Sequence, residues 1–219
     1  MMAQALETEY PVVMTDMAHR LVACQESLSE LLQNAEHPAS WKNVDFISVQ
    51  IRKICELITL GSIVAHFQIG QREVSIDEWH PKNCLSQVTR FNEFPLPVPI
   101  DHELLSSGSN HLMPSSKPLP ASVICSIYGK CGNFLHIGSA SQFFRRTMPP
   151  FDLSVISGWI DGLIVLLKAH LLMLPGLDAI LLCRWGGKAD VQPEVWLMKS
   201  DGPAIFDTSN LPDFSLLVP

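Results

Sequence analysis

Residues 41–67 (WKNVDFISVQIRKICELITLGSIVAHF) constrain the fold more than any other stretch of the chain. Phe46, Val49, Ile51, Ile54, Cys55, Leu57, Ile58, Ile63 and Val64 recur at helical spacing and cover most of the circumference, while charge is confined to Arg52, Lys53 and Glu56. A helix that is apolar nearly all round has to be enclosed by other elements. The chain is therefore expected to build around this helix. Asn43 or Asp45 can cap its start. Arg52 and Glu56 stand four residues apart and form a candidate polar pair inside the bundle, holding helix register together with Tyr128 or His66. Gly61-Ser62 permits a close helix approach or a kink.

The remaining segments supply the enclosure. In residues 12–35, Met14, Met17, Leu21, Cys24, Leu28, Leu31 and Leu32 form one apolar stripe, with Thr15 or Asp16 as cap and Pro38 beyond the end. Residues 76–90 read as a short helix interrupted at Pro81. Pro95, Pro97 and Pro99 forbid helix and favour an extended strap at the start of a Pro/Ser-rich loop over residues 91–120. Residues 121–137 read as a helix in which Gly129 and Gly132 each cost about 1 kcal/mol relative to Ala, which suggests that another backbone packs close. A further helix is expected over 152–173, capped by Asp152 and stopped at Pro175-Gly176. The period then shortens, and AILLCRW, EVWLMKS and PAIF read as short strands, with Asp201-Gly202 as a tight turn. The expected class is α+β: a mostly helical bundle of four or five helices with a small C-terminal antiparallel β-meander. It is read as one domain over 1–219, with the bundle in 1–175 and the meander in 176–210.

Composition narrows the function classes. Of 219 residues, 47% are hydrophobic and 17% charged, which is too apolar for a disordered chain and leaves apolar surface for oligomerisation, a homodimer above all. The net charge of −7 repels phosphate backbones as a general field, although RNA binding at a local basic patch stays open. The opening MMAQALETEY has no basic or apolar leader character, and the most apolar run, Leu163–Leu174, is interrupted by Lys168 and His170. A bilayer span needs roughly 20 apolar residues. The expectation is a cytoplasmic protein without membrane contact. In a reducing compartment its six cysteines serve as small apolar core residues.

Few residues carry chemistry. His136, with Lys130 and Asn133, is the catalytic candidate: metal-free RNA cleavage needs a base for the 2′-hydroxyl and a cation for the phosphate. The alternative for His136 is a helix C-terminal cap. Arg145 and Arg146, beside Phe143 and Phe144, form the most basic short stretch, suited to RNA or phosphate or simply to a solvated loop. Cys125, Cys131 and His136 match no standard zinc spacing, so no metal and no cofactor is expected. His170 is expected in the core or on a dimer face.

Four fragments occur in a set order: FISVQIRKICELITLGSIVAH, FNEFPLPVPI, YGKCGNFLHIGSASQFF and LLKAHLLML. Together they resemble a family of uncharacterised bacterial proteins with a Y-x-K-C-G-x-x-L-H motif, here Tyr128, Lys130, Cys131, Gly132, Leu135 and His136. More distantly, the Arg52-x-x-x-Glu56 helix and the later helix ending in Lys130-x5-His136 are similar to HEPN-type helical domains. That resemblance implies a dimer and a place in a bacterial antiphage-defence or toxin-type system. Active HEPN ribonucleases place an Arg before the His. This chain has Lys130 there, and a lysine cannot make the bidentate phosphate contact of an arginine. Two readings follow: a non-catalytic interaction or regulatory module, or a metal-independent ribonuclease using His136.

Overall fold

A computed structural model describes residues 2–33, 40–68, 73–100, 114–115, 119–135, 152–175, 179–185 and 192–199. Among these lie five helices, α1 (Met2–Gln33), α2 (Ser40–Gln68), α3 (Pro81–Val88), α4 (Ala121–Leu135) and α5 (Leu153–Lys168). The strands are β1 (Val98–Pro99), β2 (Ala169–Leu174), β3 (Ala179–Arg184) and β4 (Glu194–Lys199). They form one antiparallel sheet in the order β1-β2-β3-β4. The chain is α+β and mostly helical.

The long helices α1 and α2 pack side by side, α2 also packs against α3 and α4, and α1 reaches α5 and β4. The α1 stripe is buried at Met14, Met17, Leu21, Cys24, Leu28 and Leu31, but Leu32 is exposed. α1 starts ahead of the expected cap and runs through Pro11. Thr15 is therefore helix interior, its Oγ1 donating to the Pro11 carbonyl at 2.8 Å, and Asp16 pairs with Arg20 instead of capping. The nearness of the Tyr10 ring explains Gly61: a methyl there would stand 3.2 Å from Tyr10 Cε2, so the missing side chain lets α1 approach α2. α2 begins at Ser40, upstream of both proposed caps, and it is not enclosed all round, since Phe46, Val49 and Leu60 reach solvent.

Pro81 starts α3 rather than interrupting a helix. At the first helical position its fixed φ fits and its missing N–H is not needed. The His80 carbonyl accepts the N–H groups of Asn83 at 2.9 Å and Cys84 at 3.0 Å. The Pro-rich strap is extended as expected, and its Val98–Pro99 portion forms the edge strand beside β2, a position proline tolerates.

The helix expected over 152–173 gives way to strand from residue 169 onward. Asp152 caps α5 by accepting from Ser154 N at 2.9 Å, but the helix ends at Lys168 and β2 begins at the next residue. An apolar run such as AHLLML does not by its period distinguish a buried strand from a buried helix. Here pairing decides: 169–174 hydrogen-bonds to β1 on one side and β3 on the other, and both its faces are buried apart from half-buried Met173. The C-terminal strands therefore start at residue 169, ahead of the expected 176, and the sheet also takes in Val98–Pro99 from the expected loop. Leu172, Leu174, Leu181 and Cys183 join the helical core, in which Trp159 and Trp185 are the largest fully buried side chains. Ala169, Leu171, Leu182 and Ile100 make a second, smaller cluster. The PAIF segment lies outside the described residues. No helix among the described residues is long and apolar enough to cross a membrane.

Candidate functional site

Lys130 and Asn133 are exposed on α4, and Lys130 Nζ stands 5.7 Å from the centre of the Trp159 ring. His136, Arg145 and Arg146 lie outside the described residues, so the catalytic and phosphate-binding assignments cannot be assembled from Lys130 and Asn133 alone. No cluster of three or more His, Cys, Asp or Glu suited to a metal occurs among the described residues.

Arg52 and Glu56 do share a surface of α2, but each has a tighter partner than the other. Arg52 Nε is 3.9 Å from Glu56 Oε1, at the outer limit of an ion pair. Glu56 Oε2 instead holds Lys53 Nζ at 2.7 Å. The Arg52 guanidinium lies in a socket formed by α4. Its Nη2 donates to Tyr128 Oη at 2.6 Å, and its Cζ lies 4.0 Å from the Tyr128 ring centre. Its Nη1 occupies the space a side chain at Gly132 would need, 2.9 Å from where that Cβ would be. Tyr128 and Gly132 are thus spaced one helical turn apart to receive one guanidinium. Gly129 has open space around it, so the close-packing expectation fails there.

On the far side of Tyr128 the segment 76–80 descends into α3. His80 packs edge-on against the Tyr128 ring at 5.3 Å and against Trp79 at 5.8 Å. Glu78 fixes this turn. Its carboxylate accepts the backbone N–H of His80 at 2.9 Å and of Trp79 at 3.0 Å, and the Asn83 amide at 3.0 Å. The His80 N–H, then the Asn83 amide, hold its carboxyl below the usual range. The turn thrusts Ile76 and Trp79 outward, 60% and 62% exposed.

Ile76 and Trp79 border a recess of about 300 Å³ between α1, α2 and the 76–80 turn. Leu57, Leu60 and Cys84 add apolar wall, and Asp16, Arg20, Lys53, Glu56, Asp77 and Glu78 add charge. The cations are engaged. Arg20 binds Asp16 at 3.0 Å and Gln50 at 2.7 Å, and Lys53 binds Glu56. This site was not legible in the sequence because its wall comes from three separated segments. The one local signal was Trp79-His80-Pro81, a large aromatic directly before a helix-initiating proline.

The titrating groups elsewhere are structural. Burial pushes Cys24 and Cys131 up to about 12 and raises Cys84 at the recess, so none of these is a thiolate near neutral pH. His170, fully buried, is lowered to about 4 by desolvation, and its Nε2 meets Tyr10 Oη at 2.9 Å. His66 is also buried and lowered by desolvation. Its Nδ1–H donates to the Ser62 carbonyl at 2.7 Å, and its Nε2 accepts from Asn92 Nδ2 at 2.8 Å. Neither imidazole is placed to take a proton from a substrate.

No family model, no curated protein and no solved structure matches the chain.

Proposed function

We propose that the chain is a non-catalytic interaction module and that a protein partner seats at the recess beside Trp79. The observation that carries this reading is the grouping of Leu60, Ile76 and Trp79, all exposed, around one concavity of about 300 Å³. Exposed apolar side chains gathered at a charged rim are the usual signature of a protein-binding surface, and tryptophan is the residue most enriched at binding hot spots. The turn that presents Trp79 is held by three hydrogen bonds to Glu78, so the anchor is ordered before anything binds. The HEPN-like resemblance is what would place such a module in a defence or toxin-type system.

The test is site-specific photo-crosslinking in the producing cell, with p-benzoylphenylalanine at position 79 or, as control, at exposed position 25. A discrete protein adduct from position 79 alone is expected. Equal labelling from both positions, or none from either, argues against the reading. A parallel RNA-cleavage assay in EDTA tests the ribonuclease alternative. Cleavage by the wild type that His136→Ala abolishes would overturn the non-catalytic assignment.

A further inference from the structure

We infer that the segment seated at the Trp79 recess is basic and apolar: an aliphatic residue beside an arginine or lysine. This inference rests on the interaction reading and adds the partner's chemistry to it. Four carboxylates line the recess (Asp16, Glu56, Asp77, Glu78) against two cations (Arg20, Lys53), an excess of two negative charges. Both cations are already neutralised by carboxylates of the same wall, at 3.0 Å for Arg20 and 2.7 Å for Lys53. An incoming carboxylate would therefore have to break an existing pair to find a cation. An incoming guanidinium or ammonium meets Asp77, which is exposed and makes no ion pair among the described residues.

Trp79 reinforces the preference. Its exposed indole offers a π face to a cation as well as apolar area, and tryptophan is the best aromatic for that contact. The aliphatic neighbour would lie on Leu60 and Ile76. The stem of an arginine or lysine packs on such a surface while its head stays at the charged rim. A second copy seated recess to recess is a poor occupant, because it would bring one acidic wall against another.

The experiment uses the full chain and two fluorescein-labelled peptides that differ only in charge, one with two Leu-Arg repeats and one with two Leu-Glu repeats. Binding is read by fluorescence anisotropy at low and physiological salt. The Leu-Arg peptide is expected to bind at least about tenfold tighter than the Leu-Glu peptide, with affinity falling as salt rises. Trp79→Ala should weaken it at least about tenfold, and Asp77→Asn about threefold. Both side chains are exposed, so neither variant threatens the fold. Equal binding of the two peptides, or Leu-Arg binding insensitive to Trp79→Ala, overturns the inference. Loss of a wild-type dimer in Trp79→Ala, read by sedimentation, also overturns it by naming a second copy as occupant. If position 79 crosslinks a partner while neither peptide binds, the basic chemistry is wrong and the interaction module stands. If position 79 crosslinks nothing and neither peptide binds, both readings fall.

Discussion

At the scale of single residues, the Arg52 socket gives the sharpest expectations. Removing the Tyr128 hydroxyl leaves a half-buried guanidinium without its shortest hydrogen bond. A bond to a charged group is worth about 1.5–3 kcal/mol, so Tyr128→Phe should lower the urea-unfolding free energy by that order at most, less whatever water restores. The two glycines of α4 should respond differently. Gly129→Ala meets open space and should stabilise by about 0.5–1 kcal/mol through helix propensity. Gly132→Ala must displace Arg52 Nη1 and should lose part or all of that gain. Of this site, the approximate Arg52–Glu56 neighbourhood was legible from i,i+4 spacing. Tyr128, read from the sequence as a partner alongside the alternative His66, does receive Arg52, but the choice between the two was not legible across 76 residues, nor was the competition of Lys53 for the Glu56 carboxylate.

The two buried imidazoles carry the pH dependence. Desolvation holds His170 near 4 in the folded chain, against about 6.5 unfolded. The unfolded state therefore binds the extra proton between those values. Stability from this group is complete above about pH 6.5, falls as pH drops, and is diminished by about 3 kcal/mol once pH passes below 4. The groups facing His170 are Tyr10 and Cys183; burial raises both, so both stay neutral across the window and leave its sign unchanged. His66 is lowered too and works in the same direction. Urea titrations at pH 7 and pH 5 should show the wild type about 2 kcal/mol weaker at pH 5 from His170 alone, with a smaller difference in His170→Gln. An unchanged slope in that variant would remove His170 as the cause.

At the scale of elements, a polar knot fastens α2 and β2 to the segment that follows α3. Asn92 donates both amide hydrogens, to His66 on α2 and to the Met173 carbonyl on β2, and accepts Phe94 N–H at 2.8 Å. Ser62 of α2 adds a bond to the Pro95 carbonyl. Asn92→Leu would strand these groups in the interior, and each unsatisfied buried partner costs about 1–3 kcal/mol. A loss of several kcal/mol in urea unfolding is the expected result, and a loss below about 1 kcal/mol would show that water replaces the amide. The helices α1, α2, α4 and the start of α5 were legible because their apolar spacing extends over many turns. What periodicity did not show in 169–174 was decided by contacts distant in sequence, its two neighbouring strands.

At the scale of the whole molecule, cohesion is entirely non-covalent. All six cysteines are free, and five are buried. Reductant should leave the thermal midpoint unchanged within about 1 °C, as for a chain whose thiols are packing groups. A large drop on reduction would reveal an intermolecular disulfide, with half-buried Cys125 the first suspect. The overall class was legible from the order of long and short periods. The recess was not, since it exists only once α1, α2 and the 76–80 turn are brought together.

The junction of α5 and β2 joins two elements with no spare residue between Lys168 and Ala169. A helix advances each side chain by 100° and a strand by 180°, so one added residue at that peptide bond cannot be hidden in slack. If the helix keeps its seat, all of β2 inverts, exchanging the His170–Leu172–Leu174 side for the Ala169–Leu171–Met173 side. If the strand keeps its seat, Trp159 and its neighbours are swung out of the core. Insertions are thus forbidden at this point of the chain even where the local composition would accept them.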